Sequence, residues 1–208
     1  GAETAAVLAL TDYLVGKQLD SVNPLFRKRI YSETNRRIFN PMITESAQYG
    51  WQSKTRPVNN WNPWIHSNWM MATLLLEKNE QRRASMIYQS MQGLDSYLNS
   101  LGDEGNCDEG PGYWFAAGAS VFDCLQILSS ATNGKVNLYQ ELLIKNMLRY
   151  ITKVHIANRY FVNFADADPT VTPDGVLLYR MGKTIQDSTL SKMGIWAYQQ
   201  FAAKGKGY

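Results

Sequence analysis

The sequence is poor in the residues that most often carry ready-made chemistry. Two histidines, His66 and His155, and two cysteines, Cys107 and Cys124, are spread over 208 residues, and none falls in the short spacing of a zinc site. That scarcity leaves no metal ligands and no cofactor to assign. Cys107 lies in an acidic loop and Cys124 in the helical segment after it, so a bridge is geometrically open and a pair of thiols is the default expectation. Excess charge is scarce too. Lysine and arginine number 21 against 18 aspartates and glutamates, a formal charge of +3, without the basic density of a dedicated nucleic-acid protein. No apolar run reaches the ~20 residues of a membrane-spanning helix. No signal peptide is present, and Gly1 reads as a trimmed or cloned start. Phosphate loop, dinucleotide fingerprint, nucleophile elbow and EF-hand spacing are all missing.

What is present is helical periodicity. Hydrophobic residues make up 45% of the chain, enough for a sizeable core, and 1–208 reads as a single helical domain or a piece of a larger one. The spacing of Val7, Leu8, Leu10, Leu14, Val15 and Leu19 predicts a first helix over Glu3–Leu19 with those residues inward. Asn23–Pro24 opens a second, through about Arg37, with Leu25, Ile30 and Ile38 inward. Its Arg27, Lys28, Arg29, Arg36 and Arg37 make either a solvated face or a wall attracting acidic sugars. Periodicity lapses from Pro41 to Asn62, a long connection of the kind often used for function.

Asn62–Pro63 predicts the next helix start. Asn79 caps another with Ile87, Met91, Leu94, Leu98 and Leu101 inward, ending at Gly102. Gly110, Pro111 and Gly112 force a turn before a helix carrying Trp114, Val121, Phe122, Leu125 and Leu128. Asn137 with Gln140 resembles a capping box for a helix to about Val154. Residues 159–171 suggest a short extended piece and a turn, Thr172–Pro173 begins another helix, and Asp187 caps the last. The expected class is all-α, built of antiparallel hairpins without a sequence repeat.

Two stretches concentrate polar chemistry among aromatic rings. VNNWNPWIHSNWMM, from Val58 to Met71, places Asn59, Asn60 and Asn62 where amides of a helix N-terminus attract negative charge, with Trp61, Trp64 and His66 close by. DEGNCDEGPGYW, from Asp103 to Trp114, places Asp108 and Glu109 just ahead of Tyr113. Cap, turn and core chemistry explains the same residues without any function.

NNWNPWI, followed by EGPGYW and then FVNFADADPTVTPDGVLLYRMGK, resembles the helical domain of heparinase II/III-like polysaccharide lyases. RRIFNP, from Arg36 to Pro41, fits as well. The resemblance covers most of the chain and implies part of an incomplete (α/α) toroid. A C-terminal β-sandwich would be the missing partner domain of the same parent protein. It further implies a secreted or periplasmic enzyme that cleaves an acidic, uronate-containing polysaccharide or oligosaccharide by β-elimination.

Such chemistry must offset the uronate carboxylate's charge and place a base at the adjacent carbon. Carried onto this sequence, Asn60 is the carboxylate-side residue, Tyr113 the proton-transfer residue and Glu109 an orienting neighbour. Asn59, Trp61, Trp64, Trp114 and Arg56 are substrate-binding candidates. The family often has His directly after the Asn pair; Trp61 stands there, and His66, five residues on, is the candidate substitute. Two other readings use the same residues. A glycoside hydrolase would pair Asp108 with Glu109, or one of these with Asp166 or Asp168, and a non-catalytic carbohydrate-binding domain would keep Trp51, Trp61, Trp64 and Trp114 as a stacking surface.

Overall fold

A computed structural model describes residues 1–45, 49–52 and 58–202. Those residues are mostly helical, with one two-stranded antiparallel ribbon, so the all-α expectation holds. The chain divides into two compact units, Gly1–Ser100 and Leu101–Tyr208.

In the first unit, helix α1 runs over Ala2–Val22 and packs against α4, Trp61–Leu76. The contact face is not the one expected. Ala5, Ala6 and Ala9 are buried, while Val7, Leu8, Leu10, Leu14 and Val15 are exposed. Alanines leave room for a close helix approach, and that steric gain selects the small-residue face over the leucine face. The helix bends at Val15, where the backbone leaves helical geometry. Beside the bend the Arg27 guanidinium lies over Gly16, where a Cβ would come within 2.9 Å of Nε. Arg27 is held by Asp12 at 2.6 Å and Asp20 at 2.9 Å, and these hydrogen bonds raise its pKa.

Helix α2, Leu25–Thr34, starts where Asn23–Pro24 predicts: Asn23 Oδ1 accepts the Leu25 N–H at 2.9 Å. It continues through a π-helical turn, Asn35–Phe39, into α3, Asn40–Thr44. Ile30 and Ile38 pack on the core as expected, but Leu25 is exposed. The basic run is partly neutralised, with Arg36 and Arg37 both bound to Glu33.

A short connection joins α4 to α5, Glu80–Leu98, whose N-cap Asn79 accepts the Arg82 N–H at 2.9 Å. The buried positions of α5 are Met86, Ser90, Leu94 and Tyr97. Only Leu94 was expected there; Ile87, Met91 and Leu98 flank the contact half-buried. In that connection the buried Glu77 carboxylate binds Arg82, which also donates to Asn35 Oδ1 at 2.7 Å and Asn40 Oδ1 at 2.9 Å. This knot fastens the π turn to the α4–α5 hairpin and gives the RRIFNP stretch a structural role. Phe39, Met42, Trp69, Ala72, Leu76 and Met86 fill the core beneath it.

In the second unit the expected helix after the glycine-rich turn is split into α6, Pro111–Trp114, and α7, Gly118–Ala131. All five expected inward residues are buried. Helix α8 spans Leu142–Lys153. Asn137 does not cap it: its side chain accepts the Tyr139 N–H at 3.2 Å in a preceding turn, and Glu141 takes the cap position. Strand β2, Tyr160–Phe161, falls in the expected extended piece, and its antiparallel partner β1, His155–Ala157, lies ahead of that segment, directly after α8. Helix α9, Gly175–Thr184, is capped by Asp174, and α10, Ser188–Ala197, by Asp187 as expected, each carboxylate accepting a backbone N–H. Cys107 and Cys124 are both buried thiols, not a bridge.

Candidate functional site

The first polar stretch becomes the N-terminus of α4, one residue pair earlier than the Asn62–Pro63 signal. Asn60 is the N-cap, and Asn59 Oδ1 accepts the Trp61 N–H at 3.3 Å. Pro63 therefore falls in the first turn, where its missing N–H costs nothing. Asn62 is buried, and its Nδ2 donates to the Trp51 carbonyl at 2.8 Å and the Gly93 carbonyl at 3.0 Å. Its work is to tie the helix start to the turn at 50–52 and to α5.

Asn60 is 3% exposed, with Oδ1 buried and unpartnered.

His66 lies inside the unit. It is fully buried between α4 and α5, edge-on to Trp51 and tilted against Trp69, with ring centroids 5.5 and 5.9 Å away. Neither ring nitrogen has a partner, and burial lowers its pKa to about 4. The ring is neutral at ordinary pH and not aimed at solvent. Gly93 makes room for it: a Cβ there would stand 2.2 Å from Nε2.

The indoles of Trp61 and Trp64, by contrast, are 54% and 40% exposed. Together with Ile65, Asn68, Glu3, Ala2 and Gly1 they line an open cavity of about 260 Å³ where the first turns of α4 meet the start of α1. Glu3, Ile65 and Asn68 were not among the sequence candidates. Positions 61, 64, 65 and 68 share one helical face, so spacing alone could have nominated Ile65 and Asn68. Glu3 comes from α1 and had no local signal.

In the second unit, Gly110 adopts φ +89° and packs so closely on the 164–167 segment that a Cβ would meet Ala167 at 2.5 Å. That contact brings the two acidic loops together. Burial, then the charges of Asp108 and Asp166, raises the Glu109 pKa. Tyr113, exposed at 42%, presents its phenol from α6 four residues later. Trp114 faces the other way. It is fully buried, donates Nε1–H to the Met147 carbonyl at 2.9 Å and packs on Gly118, so its ring is core and offers no wall to a sugar.

Asn59 is exposed beside the α4 start, and Arg56 lies outside the described residues. Among the described residues no group of three or more His, Cys, Asp or Glu side chains is arranged to hold a metal, and no helix is long and apolar enough to cross a membrane.

The fold and these sites define a helix-rich protein with an indole-lined cavity in one unit and an acidic loop bearing an exposed phenol in the other. No protein-family model matches the sequence, and no curated protein matches it.

Proposed function

We propose that this chain is the helical catalytic portion of a polysaccharide lyase that cleaves uronate-containing glycans by β-elimination, as the landmark stretches suggest. The observation that carries the reading is the exposed Tyr113 phenol, four residues from a carboxyl whose pKa is raised. A phenol can relay a proton at the carbon next to the uronate carboxylate, and burial together with the charges of Asp108 and Asp166 raises the pKa of the neighbouring Glu109 carboxyl. In this reading Tyr113 transfers the proton and Glu109, in the same unit, orients the sugar. Trp61 and Trp64 stack on the glycan. His66, buried and without an outlet, is a packing residue and takes no proton step. The helices belong to an incomplete toroid, and a β-sandwich domain of the same parent protein completes the enzyme outside the cytoplasm.

The full-length protein should convert at least one of heparin-type, chondroitin-type or alginate chains into products with the ultraviolet absorbance of an unsaturated uronate. Reducing ends released without that absorbance would replace elimination by hydrolysis through Glu109 with Asp108 or Asp166.

The exposed indole pair favours one second reading. A carbohydrate-binding domain without turnover uses Trp61 and Trp64 in the same way and leaves Tyr113 idle.

A further inference from the structure

The face of α4 turned toward α5 carries polar groups that the protein itself leaves without partners. Asn62 Nδ2 reaches the Gly93 carbonyl at 3.0 Å, and a Cβ on Gly93 would stand 2.2 Å from His66 Nε2. Those two contacts set the register of the hairpin. Three and seven residues beyond His66 on α4 come Trp69 and Thr73, and three and seven residues before Gly93 on α5 come Ser90 and Met86. Antiparallel pairing therefore sets Trp69 beside Ser90 and Thr73 beside Met86 along one seam. Asn62, His66, Trp69, Thr73 and Ser90 are each at most 1% exposed. Within them Asn62 Oδ1, both His66 ring nitrogens, Trp69 Nε1, Thr73 Oγ1 and Ser90 Oγ are buried with no hydrogen bond from the protein.

A buried polar atom that gives up solvent and gains no partner is destabilising, and so many in one hairpin would cancel a large part of a domain's marginal stability. Their chemistry is complementary. Trp69 only donates, Asn62 Oδ1 only accepts, a neutral His66 does one of each, and the two hydroxyls do either. No two of them meet directly. The His66 level and the Ser90 level of the seam are three residues of α5 apart, about 4.5 Å, within the reach of two hydrogen bonds in series, about 5.5–6 Å. Water donates twice and accepts twice, so one molecule can join such groups across that gap. We propose that the α4–α5 seam is an internal water-binding site, in which at least one long-lived water bridges His66, Trp69 and Ser90.

The test uses the full chain and reads water directly. Oxygen-17 relaxation dispersion counts the waters that stay inside a protein longer than it tumbles, and cross-relaxation between water and the Trp69 indole N–H places one of them in the seam. The Trp69 N–H should show a cross-peak to long-lived water. Ser90→Ala removes one hydroxyl and little volume, and it should lower the dispersion amplitude by about one water molecule with an unchanged circular dichroism spectrum.

A Trp69 indole N–H without a water contact, or an amplitude unchanged in Ser90→Ala, would overturn the site. So would a hydrogen-bond coupling between a His66 ring nitrogen and the Ser90 hydroxyl, because the seam would then close on itself. Should Ser90→Ala fail to fold, the Trp69 cross-peak of the unsubstituted chain still decides. The readout involves neither glycan nor turnover, so a dry seam leaves the lyase reading untouched, and a failure of elimination leaves the water site untouched.

Discussion

His66 shows how a residue that looks chemical in sequence becomes structural in three dimensions. Its ring is fully buried, both nitrogens lack partners and its pKa falls to about 4. An unfolded histidine titrates near 6.5, so protons bind the unfolded chain preferentially between the two values. Stability is therefore complete above about pH 6.5 and is lost as pH falls toward 4, by about 3 kcal/mol over the window. Urea midpoints measured from pH 7.5 down to 4.5 should show this decline. In His66→Asn, less stable throughout, it should flatten; an equally steep decline there would mean another group titrates. Gly93→Ala drives a methyl group into the same ring and should cost about 1–3 kcal/mol in denaturant midpoint, as overpacking does. Asn62 and Trp114 tell the same story. One is spent on two backbone carbonyls and the other on one.

At the level of elements, three of the expected caps were legible, while Asn62 and Asn137 do not cap the helices they announce. Asn23, Asn79 and Asp187 act where the sequence places them because a side-chain acceptor next to an unpaired N–H is a local requirement. Faces were harder. Leucine periodicity pointed α1 the wrong way, since which stripe is buried depends on the partner helix, and α4 accepts the alanines. The buried stripe of α5 is likewise carried by Met86, Ser90 and Tyr97 beside Leu94, set by Gly93 yielding to His66.

The α9–α10 pair depends on a similar close approach. A Cβ on Gly194 would lie 2.4 Å from the Tyr179 nitrogen, and one on Gly175 2.4 Å from the Tyr198 nitrogen. Gly194→Ala should therefore lower the denaturant midpoint by about 1–3 kcal/mol, whereas substitution at Gly112, which has open space, should leave packing unchanged. Asp187 both caps α10 and pairs with Arg149 at 2.6 Å. Burial alone would raise its carboxyl, but the Leu190 N–H and Arg149 together hold it below its ordinary value. Asp187→Ala should cost about 1–2 kcal/mol, with a loss that is largest at neutral pH and shrinks as acid protonates the wild-type carboxyl.

Across the whole molecule, the candidate residues divide between the two units. Gly1–Ser100 holds Asn59, Asn60, Trp61, Trp64 and His66, and Leu101–Tyr208 holds Glu109, Tyr113 and Trp114. Helical class and the order of the landmarks were legible from sequence, because caps, prolines and glycines punctuate the chain. Which aromatic rings remain exposed was not, because Trp61 and Trp114 occupy equivalent-looking loop-to-helix entries and only packing distinguishes them. The measurement that bears most directly on the proposed elimination is a comparison of Tyr113→Phe with the unmodified full-length protein on a uronate polysaccharide. Removing one exposed hydroxyl should leave glycan affinity within about threefold and lower the rate of unsaturated-uronate formation by about 100-fold or more, as loss of a general acid–base group does. Turnover retained at the wild-type rate in Tyr113→Phe would contradict it.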